Sequence, residues 1–257
     1  MDSLGKEALQ SGVGLFKYKN TIDVPSLAMI DDVLGMAKCG DESIELNSII
    51  NAKMEAKKLR LSDDKCYKIH ICKAHSECSQ ILKVHDADMK NVTQATYLGD
   101  VLCENGTIDE TIALRSQKAT GIITQISSML SSISLGSYHF DIALVLRSAL
   151  FLNSILTNSE VWHNVQPKHT QALEKSDLML LRNIVNGHSK TALEAFYLEF
   201  AVYPIKFQMV IRRLMFLWHV LHRDTSELIR KIYEMQKLKS CKGDWVLAVE
   251  ETKSSLA

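Results

Sequence analysis

The sequence predicts an α+β chain in which a short antiparallel sheet with one helix, residues 1–107, precedes an all-α helical bundle, residues 108–257. Three observations predict it. The apolar run from Ser26 to Met36 is broken by paired aspartates and reads as a tight hairpin. Apolar and polar residues alternate in stretches between Cys66 and Cys103, and from Thr107 onward the apolar residues fall at helical spacing instead. With 46% hydrophobic and 23% charged residues, the composition is that of a packed protein and excludes a disordered chain.

Lys and Arg number 30 and Asp and Glu 30, so attraction to nucleic acid must come from local patches, not from the whole molecule. The longest apolar stretches are cut by Arg147 and by Arg212-Arg213, short of the roughly 18 residues a membrane span needs. The first ten residues lack the basic and apolar regions of a signal peptide. The chain is therefore expected to be soluble and intracellular, cytoplasmic or nuclear, with no membrane partner. Its six cysteines are expected to stay reduced and its sequons at Asn91 and Asn105 unmodified.

Residues 2–11 are weakly helical, Gly12 and Gly14 break that pattern, and Leu15 to Tyr18 read as extended. In the hairpin that follows, a tight turn pushes Asp31 and Asp32 out of the sheet. Paired carboxylates at a turn suit a hard cation, and Mg²⁺ is usually held by one or two carboxylates plus substrate phosphates. Asp is also a common turn residue without any such role. After Cys39-Gly40 a helix opens on Asp41, Glu42 and Ser43 and carries Leu46, Ile49, Ile50 and Met54 on one face. Its basic end, Lys53, Lys57, Lys58 and Arg60, suits the helix dipole and solvent, with contact to a phosphate as the secondary reading.

Tyr67, Ile69 and Ile71 alternate with Cys66, Lys68 and His70 as in a half-buried strand, and Ile81–His85 and Ala95–Cys103 read as further strands, the last ending at the Asn105-Gly106 turn. Cys66, His70, Cys72, His75, Cys78 and His85 gather thiols and imidazoles within twenty residues. Cys66 and His70 share a strand face, and Cys78 or His85 could complete a tetrahedral zinc site. The spacing matches no standard finger, and cysteine in a strand ordinarily serves as a small hydrophobe, so Zn²⁺ is the weaker reading.

Thr107-Ile-Asp-Glu110 is a capping box for a helix carrying Ile112, Ala119, Ile122, Ile123, Ile126, Met129, Leu130 and Ile133. Tyr138 to Leu156 is a largely apolar helix containing Arg147. Pro167 suits the first position of a helix ending before Gly187, and Thr191–Glu194 is a second capping box. Pro204 starts a helix that is apolar nearly all round (Phe207, Val210, Ile211, Leu214, Leu217, Trp218, Leu221) and is expected to be central and buried. Gln208, Arg212, His219 and Arg223 form its remaining stripe. Arg212 and Arg213 could touch a nucleic-acid backbone, although a solvated face reads slightly better. The last twenty or so residues have no clear period and are expected to trail off. Around His163, His169 and His188 no nucleophile elbow occurs, and Gly12-Val-Gly14 lacks the Lys-Ser or Lys-Thr of a phosphate loop, which excludes those hydrolase and nucleotide-binding classes.

An aspartate-pair hairpin, a helix, strands closing on Tyr97-Leu98-Gly99-Asp100 and then a helical bundle form an ordered set. In that order the chain resembles the C-terminal palm and thumb of the reverse transcriptase of a non-LTR (LINE-type) retrotransposon. The likeness runs through Val24-Pro-Ser-Leu-Ala-Met-Ile-Asp-Asp32, Lys57-Lys-Leu59 leading to Lys65-Cys66 and Ile69-His70, Tyr97-Leu98-Gly99-Asp100, and Arg212-Arg-Leu214. Met29 stands where the family commonly has an aromatic residue.

The resemblance implies that Asp31 binds metal with Asp32 as its neighbour at the turn, and that Tyr97, Leu98 and Gly99 grip a primer strand. It also implies Mg²⁺ as cofactor, with an RNA template and a DNA primer as partners. The family uses a further metal-binding aspartate and a template-positioning segment upstream, which these residues do not include. The chain is therefore expected to be an inactive polymerase fragment when alone, with the missing N-terminal half as a further partner. The alternative is a helical nucleic-acid- or protein-binding scaffold derived from a retroelement.

Overall fold

The computed structural model describes residues 17–18, 22–23, 26–29, 32–37, 40–62, 64–71, 81–84, 87–132, 138–188, 190–241 and 243–256. The helical reading of residues 2–11 lies outside them. The chain is mixed α+β and mostly helical, with small sheets. It divides into two compact units, residues 1–107 and 108–257. Among the described residues no helix is long and apolar enough to cross a membrane.

In the first unit the expected sheet is, among the described residues, a set of separate two-stranded pairings. Strands β1 (Lys17–Tyr18) and β2 (Ile22–Asp23) pair antiparallel, as do β3 (Ser26–Met29) and β4 (Asp32–Gly35). After helix α1 (Gly40–Ala56), β5 (Tyr67–Lys68) runs parallel to β8 (Lys90–Asn91), while β6 (Lys83–Val84) and β7 (Ala87–Asp88) form an antiparallel pair. The strand expected over Cys66–Ile71 is thus reduced to two residues, because its partner supplies only two, and of the one expected over Ile81–His85 the described residues form strand at Lys83–Val84, His85 lying outside them. Alternation marks which face is covered, whereas ladder length depends on the partner strand.

The stretch Ala95–Cys103 is not one strand but a hairpin, β9 (Gln94–Tyr97) against β10 (Asp100–Cys103). Leu98 and Gly99 have φ of 47° and 87°. Positive φ at both central residues belongs to a two-residue type I′ turn, and an extended strand cannot pass through it.

α1 begins with Asp41 and Glu42 in its first turn and buries Leu46 and Met54. It closes through Lys58 in the left-handed conformation (φ 55°), which lets the Leu59 N–H reach back 2.8 Å to the Met54 carbonyl. Asn47 and Asn51 on its flank both donate to the Lys83 carbonyl, at 2.6 and 3.1 Å, tying β6 to the helix.

Among its described residues the second unit contains helices and no strand. α2 (Asp109–Ser132) buries Ile112, Ala119, Ile123, Ile126 and Leu130, the helical stripe expected, although Met129 is exposed. The helix starts two residues after Thr107, with Asp109 and Glu110 in its first turn. α3 (His139–Leu146) continues through a π-helical turn, Arg147–Leu152, into the short α4 (Asn153–Ile155). α5 (Pro167–Val185) has Pro167 in its first turn and stops at Asn186, left-handed at φ 51°. His169 pins its start: Nδ1 accepts from the Gln166 N–H at 3.1 Å, and Nε2 lies 3.0 Å from the Asp109 carboxylate of α2.

α6 (Leu193–Glu199) is capped at Ala192 without a side-chain hydrogen bond, so the box expected at Thr191–Glu194 does not form. The Thr191 carbonyl instead accepts from Arg182 at 3.0 Å.

α7 (Ile205–Leu221), α8 (Leu228–Leu238) and α9 (Trp245–Ser254) complete the unit. Leu217, Val220, Tyr233, Val246 and Val249 form a small core where these three meet. The C-terminal residues therefore do not trail off: the Trp245 indole donates to the Glu160 carbonyl at 2.7 Å and packs edge-on to Phe216 and Tyr233. α7 is not the covered central helix expected either. It buries Ile205, Met209, Leu217 and Val220 and leaves Phe207, Ile211, Met215, Trp218 and Leu221 exposed, since its packed neighbours α5, α8 and α9 take up one side.

The main core gathers α2, α5 and the residues after α3 around Phe151, Ile155, Leu173 and Leu180. Inside it lies an ion pair. The Arg147 guanidinium donates from Nε and Nη2 to the two oxygens of Asp177, both at 2.7 Å, with Arg147 1% and Asp177 0% exposed. Arg147 opens the π turn, whose i→i+5 bonding widens the helix there. Arg147, Phe151 and Ile155 are buried together. The Tyr197 phenol beside the pair is held well above its usual pKa, by burial first and then by the Asp177 and Glu174 carboxylates.

Removing one partner from a buried pair leaves the other charge uncompensated. Asp177→Ala should lower unfolding stability in urea by about 3–5 kcal/mol, and Arg147→Met combined with Asp177→Leu should recover most of that loss. Equal loss in the single and double variants would show that the pair is not what the core is built on.

Candidate functional site

The β3–β4 register pairs Met29 with Asp32 and leaves two residues between the strands. Asp31 lies outside the described residues. Asp32 is exposed, but it opens β4 in register with Met29 and so belongs to the ladder, not to a turn that pushes it out of the sheet as expected. The other end of β4 is set by Gly35. A Cβ there would lie 3.2 Å from the Leu46 Cδ2 and 3.3 Å from the Ile50 Cδ1, so the missing side chain lets the hairpin sit close on α1. Sequence reading passed over Gly35, although a glycine closing the run Asp32-Val33-Leu34 was a signal for close backbone approach.

The type I′ turn presents Leu98 as an exposed apolar tip, with Tyr97 and Asp100 paired beneath it. The Tyr97 phenol is half-buried, and its pKa is raised above the ordinary value of 10.0 by burial first and then by the negative charge of Asp32. The charge of Asp32, 65 residues away in sequence, thus contributes to the raised pKa of Tyr97.

The remaining candidates are not gathered there. Lys57 and Lys58 are exposed at the closing turn of α1, where the dipole and solvent account for them, and Arg60 follows, also exposed. Arg212 and Arg213 brace the helical unit instead. Arg212 donates to the Asn153 Oδ1 at 2.9 Å and the Leu156 carbonyl at 3.4 Å, and Arg213 to the Thr252 hydroxyl and the Trp162 carbonyl, both at 2.9 Å.

Cys66 and His70 are half-buried, whereas Cys72, His75, Cys78 and His85 lie outside the described residues. Among the described residues no three His, Cys, Asp or Glu side chains gather closely enough to hold a metal. Between α1 and the 81–83 segment runs an open groove of about 440 Å³, lined by Ile44, Asn47, Ser48, Asn51 and Leu82 among others, which the sequence did not reveal. No family model, no curated protein and no solved structure matches the chain.

Because the folded-state pKa of Tyr97 is raised, the phenol favours the folded state below about pH 10, and that contribution is lost as the pH rises through the raised value. Asp32→Asn should lower the Tyr97 midpoint in an ultraviolet titration, with Tyr97→Phe identifying the signal. Burial, the larger cause, keeps the midpoint above 10.0. An unchanged midpoint would separate the two hairpins. Leu98→Asn, which accepts positive φ more readily, should raise stability by about 1 kcal/mol in thermal or urea unfolding. A loss of stability would mean that the leucine side chain, not the turn, holds the hairpin.

Proposed function

We propose that the chain contributes the carboxylate hairpin and a helical thumb-like unit to an RNA-directed DNA polymerase of the non-LTR retrotransposon type, and that it does not polymerise alone. The observation that most supports this reading is the order of two tight hairpins, β3–β4 with the exposed Asp32 at its turn end and β9–β10 with Leu98 and Gly99 at positive φ. A carboxylate and a strained turn with an apolar tip suit a surface that receives a primer end and a metal-bound phosphate.

The donor chemistry fits Mg²⁺. Asp32 offers a hard oxygen that faces solvent, and Mg²⁺ keeps several waters while taking one or two carboxylates and substrate phosphates. Asp31 and Asp32 would hold the ion, which when bound neutralises developing charge in phosphoryl transfer. Tyr97 stays protonated through the physiological range, so it offers a ring face and an O–H donor to a strand end without repelling phosphate. Leu98 supplies apolar contact. In-line displacement requires ions at a fixed spacing, and on this reading the further metal-binding aspartate is not among the 257 residues.

A protein-binding scaffold is the second reading. It is favoured by the inward bonding of Arg212 and Arg213 and by the exposed apolar face of α7.

The expected outcome in a primer-extension assay with Mg²⁺ is no incorporation by these residues alone. RNA–DNA duplex binding should fall steeply as salt rises from about 50 to 200 mM, as phosphate contacts require. Incorporation abolished by Asp31→Ala would overturn the inactivity. Absent or salt-insensitive duplex binding would overturn the polymerase reading in favour of the scaffold.

A further inference from the structure

The outer face of α7 is an apolar seam. Phe207, Ile211, Trp218 and Leu221 remain 47, 40, 63 and 43% exposed, with Leu214 half-buried among them and Met215 beside it at 67%. The five seam positions are separated by four, three, four and three residues, the spacing with which one helix packs against another. Within the chain this spacing is unused. The packed side of α7 carries Ile205, Met209, Leu217 and Val220, which belong to the two cores. A continuous apolar face of this size on a folded unit marks an interaction surface.

What the face fits is limited by its own chemistry. No acidic residue occurs between Glu199 and Asp224, and the positions flanking the seam are Gln208, Val210, Met215 and His222, none of them Lys, Arg, Asp or Glu. Phosphate binding needs cations on the face, and the two central arginines of α7 are bonded into their own chain through Asn153, Leu156, Trp162 and Thr252. An uncharged apolar seam with uncharged flanks matches another of the same kind.

The order of the spacing allows a two-fold pairing. From Phe207 to Trp218 the steps are four, three, four, the same when read backwards. A second α7 running antiparallel therefore sets Phe207 against the partner's Trp218 and Ile211 against the partner's Leu214, the self-complementary arrangement of a two-fold interface. Trp218 is a preformed anchor, its ring 4.3 Å from that of His222. The exposed seam offers roughly 500 Å² per copy, so pairing two copies buries about 1,000 Å², the lower end for a specific interface.

We infer that α7 is a self-association surface through which two copies of the chain pair, antiparallel helix to helix, as a dimer of modest affinity. The inference does not rest on the polymerase reading.

Sedimentation equilibrium of the full chain over a concentration series tests it. The expected result is a monomer–dimer equilibrium with a dissociation constant on the order of micromolar. Ile211→Glu and Leu214→Lys should each weaken it by more than about tenfold. Mixed together, these two variants should restore the dimer, because antiparallel pairing brings the new carboxylate against the new ammonium. Leu198→Glu, at an exposed apolar residue away from α7, should change nothing. Trp218→Ala, which adds no charge, should also weaken the dimer and serves if a charged variant fails to fold. A chain that stays monomeric at about 100 μM, a dimer indifferent to the α7 variants, or a mixture that does not re-associate would each overturn the inference.

Discussion

The second unit depends on one buried ion pair. Bringing the Arg147 and Asp177 charges out of water is costly, and the pair is tolerable because the guanidinium meets both carboxylate oxygens, each at 2.7 Å. That geometry constrains the surroundings. Arg147 stands at the start of the π turn, on the same buried face as Phe151 and Ile155, and Asp177 ties α5 to it. The apolar residues of α2 and α5 then fill in around a polar centre that has one acceptable arrangement. Hydrophobic side chains alone would pack in several registers, whereas a bidentate pair selects one.

Among its described residues the first unit shows no comparable centre. It is organised from the outside of α1, which holds the β3–β4 hairpin through the bare backbone of Gly35 and the β6 strand through two asparagine amides sharing one carbonyl. These are short-range devices, each fixing one element to the helix. Among the described residues Asp32 and Tyr97 belong to separate two-stranded pairings, β3–β4 and β9–β10.

The legible parts of the fold were those written in local chemistry. Asp41 and Glu42 at the start of α1, Pro167 at the start of α5 and the stripe from Ile112 to Leu130 announce helices through propensity and spacing, and those helices are present. Tyr97-Leu98-Gly99-Asp100 hid a turn inside an apparent strand, because Leu is a poor residue for positive φ and the usual Asn or Asp was absent. α7 misled for another reason. A helix apolar on every side carries no mark of which side is covered, so exposure had to be seen. The π turn left no signature in the local sequence, and the partner of Arg147 lies thirty residues further on. At the candidate site, the chemical kind of Asp32 and Tyr97 was readable, but a separation of 65 residues carries no distance, and the inward reach of Arg212 and Arg213 belongs to long side chains whose partners lie in other helices.

Among the described residues of the first unit, no strand is longer than four residues and none belongs to more than one pairing. A two-stranded pairing of this length has little cohesion of its own and keeps its place through what it packs against, as β3–β4 does on α1 through Gly35. The carboxylate of Asp32 is thereby placed by a hairpin whose anchor is a helix, while the second unit is keyed from within by a buried charge pair. A substitution that loosens the contact of Gly35 with α1 would therefore be felt at Asp32.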